Sequence, residues 1–250
     1  MQALDAVDDD SPSTATHTGS LIHAGVEAFH QTLLDTKSVQ HGIEAALVAT
    51  RDHAAEFPLH DPDDVRIVIN HYVKDPRNQN AEFATWQDKP VIELKLRAAL
   101  APHPTDPTGL PIVIQGTPDQ VRTRYGINIL TDLKTGKPDE REMIYDHIYQ
   151  LGAYWLLLEA NGIPIHKAEI IRTQAYRARG ANLPSPQGAF VEVPLTPKRV
   201  HIYMDRVRYV VAQIRQGIVE FGPTKYCNYC PFNGLANCTS DAADLFGFDA

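Results

Sequence analysis

The residues with the clearest chemical promise in this chain are Asp119, in the run GTPD, and the pair Asp132 and Lys134, in TDLK. Carboxylates on neighbouring elements are the ligands that Mg2+ or Mn2+ prefers. A divalent cation shared by the two aspartates could polarise a phosphate and make hydroxide from bound water. Lys134, two residues past Asp132, would set its ammonium beside that carboxylate, towards the attacking water. Hydrolysis of a phosphodiester needs that combination. Taken alone, a D-x-K more often marks an ion pair on a solvated strand, so the reading depends on the elements around it.

Those elements have the right period. Residues 91–100 (VIELKLRAAL), 111–116 (PIVIQG) and 127–134 (INILTDLK) read as strands, the last two joined across a turn that contains Tyr125 and Gly126. Side chains alternate along a strand, so Ile127, Ile129 and Leu133 point one way while Asp132 and Lys134 share the other face. Upstream, Ile22, Val26, Phe29 and Leu33 form the apolar stripe of a helix that starts near Gly19, with His23, Glu27 and His30 on its polar flank. A second helix spans about 38–57, ended by Pro58, Pro62 and the aspartates around them. After residue 134, Asp139 and Glu142 suggest a capping box. Ile144, Ile148, Leu151, Trp155 and Leu158 then give a long buried stripe up to Asn161-Gly162. Strands near 165–176 and 188–195 and a helix opened by Thr196 and Pro197, running to about 220, complete the order. This predicts an α/β fold with a central mixed β-sheet flanked by helices.

Composition sets outer limits. The chain has 250 residues, 43% hydrophobic and 22% charged, with a formal charge of -8, which suits one domain with one sizeable core. That charge argues against a protein that coats nucleic acid indiscriminately. Its distribution is uneven: residues 1–100 hold 8 basic and 16 acidic side chains, residues 161–225 hold 10 basic and 4 acidic. A basic face can therefore coexist with an acidic one, and Arg172, Arg177, Arg179, Lys198 and Arg199 are candidates for phosphate contacts. The acidic, polar residues 1–18 are expected to be a disordered lead, the catalytic domain to cover 19–225, and a cysteine-rich segment, 226–250, to pack on it. No apolar run is long enough for a membrane span and the N-terminus lacks the basic and apolar blocks of a secretory signal, so a cytoplasmic location without membrane association is expected.

The motifs, in order, resemble those of the PD-(D/E)xK nuclease superfamily, in its RecB-like branch, whose core is of the restriction-endonuclease type. In that branch a helix carries G-x-x-(I/V)-H-x-x-x-E, matched by GSLIHAGVE with His23. A G-x-x-D segment follows, matched by Gly116 to Asp119, then a strand ending in D-x-K-T-G, matched by Asp132 to Gly136, then a helix with Q-x-x-x-Y, matched by Gln150 and Tyr154. The matches span His23 to Tyr154, and in combination they are far more specific than any one of them.

The resemblance implies that His23, Asp119 and Asp132, with the Leu133 carbonyl, hold Mg2+ or Mn2+. It also implies that Lys134 activates water, and that Gln150 and Tyr154 support the lysine and hold the DNA strand. By residue type alone, His23 is more often a surface or core histidine and Tyr154 a core-edge tyrosine. Gln150 and Tyr154 are nonetheless four residues apart, neighbours on the helix beside its buried stripe and not inside it. Glu27 and His30 also spell the ExxH of di-iron bundles, but the strands rule that fold out.

The implied activity is a metal-dependent deoxyribonuclease, an exonuclease on single-stranded ends in recombination, repair or viral DNA processing. The alternatives are a structure-specific endonuclease of the same fold and a silent DNA-binding or assembly module. Single-stranded or duplex DNA ends are the expected partner, and the acidic first hundred residues suit a protein partner such as a helicase or recombination protein. Cys227, Cys230 and Cys238, spaced C-x2-C-x7-C, are too few and too close for a disulfide framework and are typical of zinc or iron–sulfur ligation. Nucleases of the AddB and CRISPR-adaptation types resemble this pattern, adding one upstream cysteine to hold a structural 4Fe–4S cluster. That upstream cysteine is missing here, which leaves a 4Fe–4S cluster, zinc and free thiols all open.

Overall fold

The computed structural model describes residues 14–135, 140–177 and 188–218, and of 140–146 the backbone only. The first helix, α1 (Thr14–Thr36), starts before the position its apolar stripe suggests. His17 and Thr18, expected in a disordered lead, are buried, because they work as hydrogen-bond partners: His17 Nδ1 accepts from the Leu59 amide at 3.0 Å and Thr18 Oγ1 from the Asp61 amide at 2.9 Å. Polar composition there serves to anchor a loop.

The next helices are fixed by their N-caps. Ser38 caps α2 (Val39–Asp52), and Asp61 and Asp75, each followed by proline, cap α3 (Pro62–Tyr72) and the single turn α4 (Pro76–Gln79). A side-chain oxygen at the cap takes up an otherwise unpaired amide, and proline loses nothing at the first helical position. The Pro62 cluster, expected only to end the second helix, therefore starts a third.

Among the described residues, nine strands follow in two kinds of sheet. Short strands β1 (Glu82–Phe83), β2 (Thr85–Trp86) and β3 (Lys89–Pro90) lead to the hairpin of β4 (Leu96–Leu100) and β5 (Ile112–Gly116). Then come β6 (Gln120–Arg124), β7 (Ile127–Lys134), the long helix α5 (Glu140–Ala160), β8 (Lys167–Arg172), β9 (Phe190–Val193) and α6 (Pro197–Arg215). The main sheet has the order β1-β6-β7-β8-β9, antiparallel except for the parallel pair β7–β8, whose connection is α5. The α/β fold with a central mixed sheet flanked by helices is thus as expected.

One strand was hidden. The turn at Tyr125 and Gly126, both with positive φ of 52° and 77°, joins β7 to β6 and not to 111–116, which pairs instead with β4. The polar sequence QVRTR masks β6 because one of its faces meets a buried polar network. Arg122, 1% exposed, donates to Tyr72 Oη at 2.8 Å, Asn78 Oδ1 at 3.0 Å and Gln120 Oε1 at 2.9 Å, and lies over the Phe190 ring. Tyr176 Oη, donating to Asp75 Oδ2 at 2.9 Å, ties α4 to the same network.

Apolar residues cover both faces of the sheet. Leu130, Val121 and Ile170 pack with Ile148, Leu151 and Trp155 of α5 and Val200 of α6, whereas Leu133 and Ile171 pack with Leu21, Ile22, Val26 and Phe29 of α1 and Val68 and Ile69 of α3. Successive residues of β7 thus face different helical layers.

Candidate active site

The end of β7 is where the two layers meet. Gly19 lets α1 approach closely: a Cβ there would stand 2.8 Å from Thr135 Oγ1. One turn further along α1, His23 reaches the strand end. Its Nε2 is 3.1 Å from the Leu133 carbonyl, and its Nδ1 is 3.3 Å from Glu93 Oε1 and 3.7 Å from Asp119 Oδ2. The Leu133 amide donates to Asp119 Oδ2 at 2.6 Å, so residue 133 is held at its N–H by Asp119 and at its C=O by His23.

On the other face of β7, Lys134 Nζ forms an ion pair with Asp132 Oδ2 at 2.9 Å and donates to Gln150 Oε1 at 3.0 Å. Gln150 Nε2 in turn donates to Tyr154 Oη at 3.3 Å. The ring of Tyr154 lies against Gly116 at the end of β5. Gln150 and Tyr154, expected to flank the buried stripe of α5, lie together beside the lysine.

Glu93 belongs to this cluster and was not expected in it. It follows Val91 and Ile92, which run antiparallel to the start of β6, and its own amide donates to the Asp119 carbonyl at 2.8 Å. Its φ is 46°, in the left-handed region that non-glycine residues enter only at a cost. In VIELKL the residue reads as the solvent-side member of an alternating strand. A bend that turns it inward leaves no local signal.

The electrostatics are those of acids crowded around too little positive charge. Burial, then the charge of Asp119, raises Asp132 to about 6 despite Lys134. Burial also raises Asp119, with Glu93 adding to the effect and His23 and the Leu133 amide opposing it. For His23, burial works to lower the pKa but is outweighed by the Glu93 hydrogen bond and the charges of Asp119, Glu93 and Asp132, which lift it to about 9. Both ring nitrogens face oxygen atoms, so without a cation the ring is held as imidazolium.

The donor set fits a divalent cation. His23, Glu93 and Asp119 each offer an atom within 4.8 Å of the others, and hard carboxylate oxygens with one imidazole suit Mg2+ or Mn2+. Of the expected ligands His23, Asp119, Asp132 and the Leu133 carbonyl, the first two are in that group. The carbonyl adjoins His23, Asp132 is turned to Lys134, and Glu93 enters the set. His23, Glu93, Leu133 and Lys134 line a cleft of about 770 Å3, together with Glu27, His53 and Phe57.

Other expected residues are engaged elsewhere or lie beyond reach. Arg177 is committed to Asp64, at 2.6 Å through two nitrogens, and to the Thr135 carbonyl at 2.7 Å, so it braces the strand end from behind. Arg199 donates to the Pro194 carbonyl at 2.6 Å. Cys227, Cys230 and Cys238, Arg179, Asp139 and the side chain of Glu142, and with them the expected capping box, lie outside the described residues. None of the described helices is long and apolar enough to cross a membrane.

Comparisons with known proteins add a family to this geometry. No curated protein gives a significant match to the chain. Among solved structures, the crystal structure of SSO0001 is similar at 16% identity and a TM-score of 0.40, covering 89% of this chain and 84% of that one. The sequence also matches the PD-(D/E)XK nuclease superfamily over residues 1–235, a span that contains His23, Glu93, Asp119, Asp132, Lys134, Gln150 and Tyr154. The chain belongs to the PD-(D/E)XK nuclease superfamily.

Proposed function

We propose that the protein is a Mg2+- or Mn2+-dependent deoxyribonuclease of the RecB-like branch that degrades single-stranded DNA from its ends. The observation that carries the reading is the convergence of His23, Glu93 and Asp119 within 4.8 Å of one another, next to the Asp132–Lys134 pair.

In this reading His23, Asp119, Asp132 and the Leu133 carbonyl hold the cation. When bound it polarises the scissile phosphate and makes hydroxide available near neutral pH. Lys134 is aimed by Gln150 and Asp132, and its ammonium holds the attacking water and takes up part of the charge that develops on phosphorus oxygens. Tyr154 keeps Gln150 in place. The cleft beside His23, Glu93 and Lys134 gives a DNA strand access to these groups. Glu27, Glu56 and Glu93 line the cleft, so phosphate binding there depends on the cation. Cys227, Cys230 and Cys238 are assigned a structural metal, a 4Fe–4S cluster or zinc. A brown anaerobic preparation points to the cluster, and a colourless one containing zinc to the alternative.

The test compares linear single-stranded, linear duplex and circular single-stranded DNA with Mn2+. Shortening of linear strands with circles intact is expected. Cut circles would assign an endonuclease, and identical products from the parent and Lys134→Ala would overturn the catalytic reading in favour of a binding or assembly module.

A further inference from the structure

We infer that Glu93 is a positioning residue for His23: it holds the imidazole by Nδ1 so that Nε2, beside the Leu133 carbonyl, is the nitrogen presented to the cation. This rests on the metal-dependent reading above.

Three observations carry it. The nitrogen that faces Glu93 Oε1, at 3.3 Å, and Asp119 Oδ2, at 3.7 Å, is Nδ1. Carboxylate oxygens accept only, so it is a proton on Nδ1 that would let this nitrogen bond to them. Secondly, Nε2 stands 3.1 Å from the Leu133 carbonyl oxygen. Two adjacent ligands of an octahedral ion bound at about 2.1 Å lie about 3 Å apart, so this nitrogen and this oxygen already have the separation of neighbours on one cation. Thirdly, the backbone of Glu93 is held at a φ of 46° with its amide N–H donating a hydrogen bond to the Asp119 carbonyl, which fixes where the carboxylate starts. A histidine ligand whose second nitrogen is bound by a carboxylate is set in both tautomer and ring orientation, and loss of such a partner weakens metal affinity about 10- to 100-fold. Glu93 within 4.8 Å of His23 and Asp119 is also compatible with direct ligation, and the two roles differ in their dependence on His23.

The experiment measures Mn2+ affinity from the electron paramagnetic resonance of the free ion, using full-length protein. The forms compared are the parent, Glu93→Ala, Glu93→Gln, His23→Ala, the double variant His23→Ala with Glu93→Ala, and Asp119→Ala. Glu93→Ala is expected to weaken binding about 10- to 100-fold. Glu93→Gln keeps an oxygen that accepts from Nδ1 and should recover affinity to within about threefold of the parent. In the His23→Ala background, removing Glu93 should cost less than about twofold, because there is no ring left to position. An equal loss in both backgrounds, or a Glu93→Gln variant as weak as Glu93→Ala, would overturn the proposal and make Glu93 a direct ligand. Binding that is absent in the parent, or undiminished in Asp119→Ala, would instead overturn the metal-centre reading itself.

Discussion

Gly116 and Tyr154 are packed so closely that a Cβ on residue 116 would stand 2.7 Å from Tyr154 Cε1. The glycine leaves the space that the tyrosine ring fills, and the ring's hydroxyl accepts from Gln150, which accepts from Lys134. Gly116→Ala must therefore shift Tyr154 and, through it, the lysine. We expect cleavage to fall by about 10- to 100-fold, as misplacement of a reacting group by an ångström does, with Mn2+ affinity within about threefold of the parent. A variant with unaltered cleavage would remove Tyr154 from the chain of support.

Lys134→Ala separates chemistry from cation binding. The ammonium is paired with Asp132, which is 2% exposed, and with Gln150, and it is not itself a ligand, so its removal leaves His23, Asp119, Asp132 and the Leu133 carbonyl in place. Loss of a positioned proton-transfer or charge-stabilising group costs about 10^2- to 10^4-fold in rate. Single-turnover cleavage at saturating Mn2+ should show that loss, while titration of the metal should not.

Without a cation, the site makes folding less favourable as pH rises. Asp132 is raised from 3.8 to about 6 by burial and by Asp119. The folded protein therefore keeps a proton there that the unfolded chain has already released, and ionising the carboxyl in place costs stability as pH climbs through 6. The elevation of His23 from 6.5 to about 9 contributes stability that is fully present below 6.5 and lost as pH rises through 9. Both groups act in one direction. In chelator, the melting temperature of the parent relative to a His23→Gln, Asp132→Asn variant should decline between pH 5 and 9. Mn2+ displaces the His23 proton, so its affinity and its stabilising effect should both grow over the same range. A relative melting temperature independent of pH would contradict this assignment of charge.

Arg122 should matter to stability and not to chemistry. Its guanidinium is buried against Tyr72, Asn78 and Gln120, none of which lines the cleft. Arg122→Ala strands three buried polar partners and opens a void, for an expected loss of about 3 kcal/mol or more in urea unfolding. The fraction that remains folded should cleave at the parental rate.

The parts of the site that could be read from sequence are those encoded by local period. Alternation placed Asp132 and Lys134 on one face of β7, and helical spacing placed Gln150 beside Tyr154 and His23 off the apolar stripe of α1. What escaped depends on distant partners. The inward turn of Glu93 follows from pairing between residues 91–93 and the start of β6 together with a left-handed backbone. The strand character of QVRTR follows from a polar network supplied by α3, α4 and β9. The caps of α3 and α4 were written plainly as Asp-Pro, but the same residues also end helices, and only the following apolar stripe of Val65, Val68 and Ile69 decides between the two.

Leu133, gripped at its backbone N–H by Asp119 and at its carbonyl by a histidine from the first helix, has a consequence for when the protein becomes dangerous. Its reactive groups come from both coverings of the sheet, and the lysine's support arrives only with α5, more than a hundred residues after His23. A chain ending before that helix carries the cation's ligands but lacks Gln150 and Tyr154, the groups that aim Lys134, so a fully aimed centre is acquired late in synthesis, with closure of the second layer.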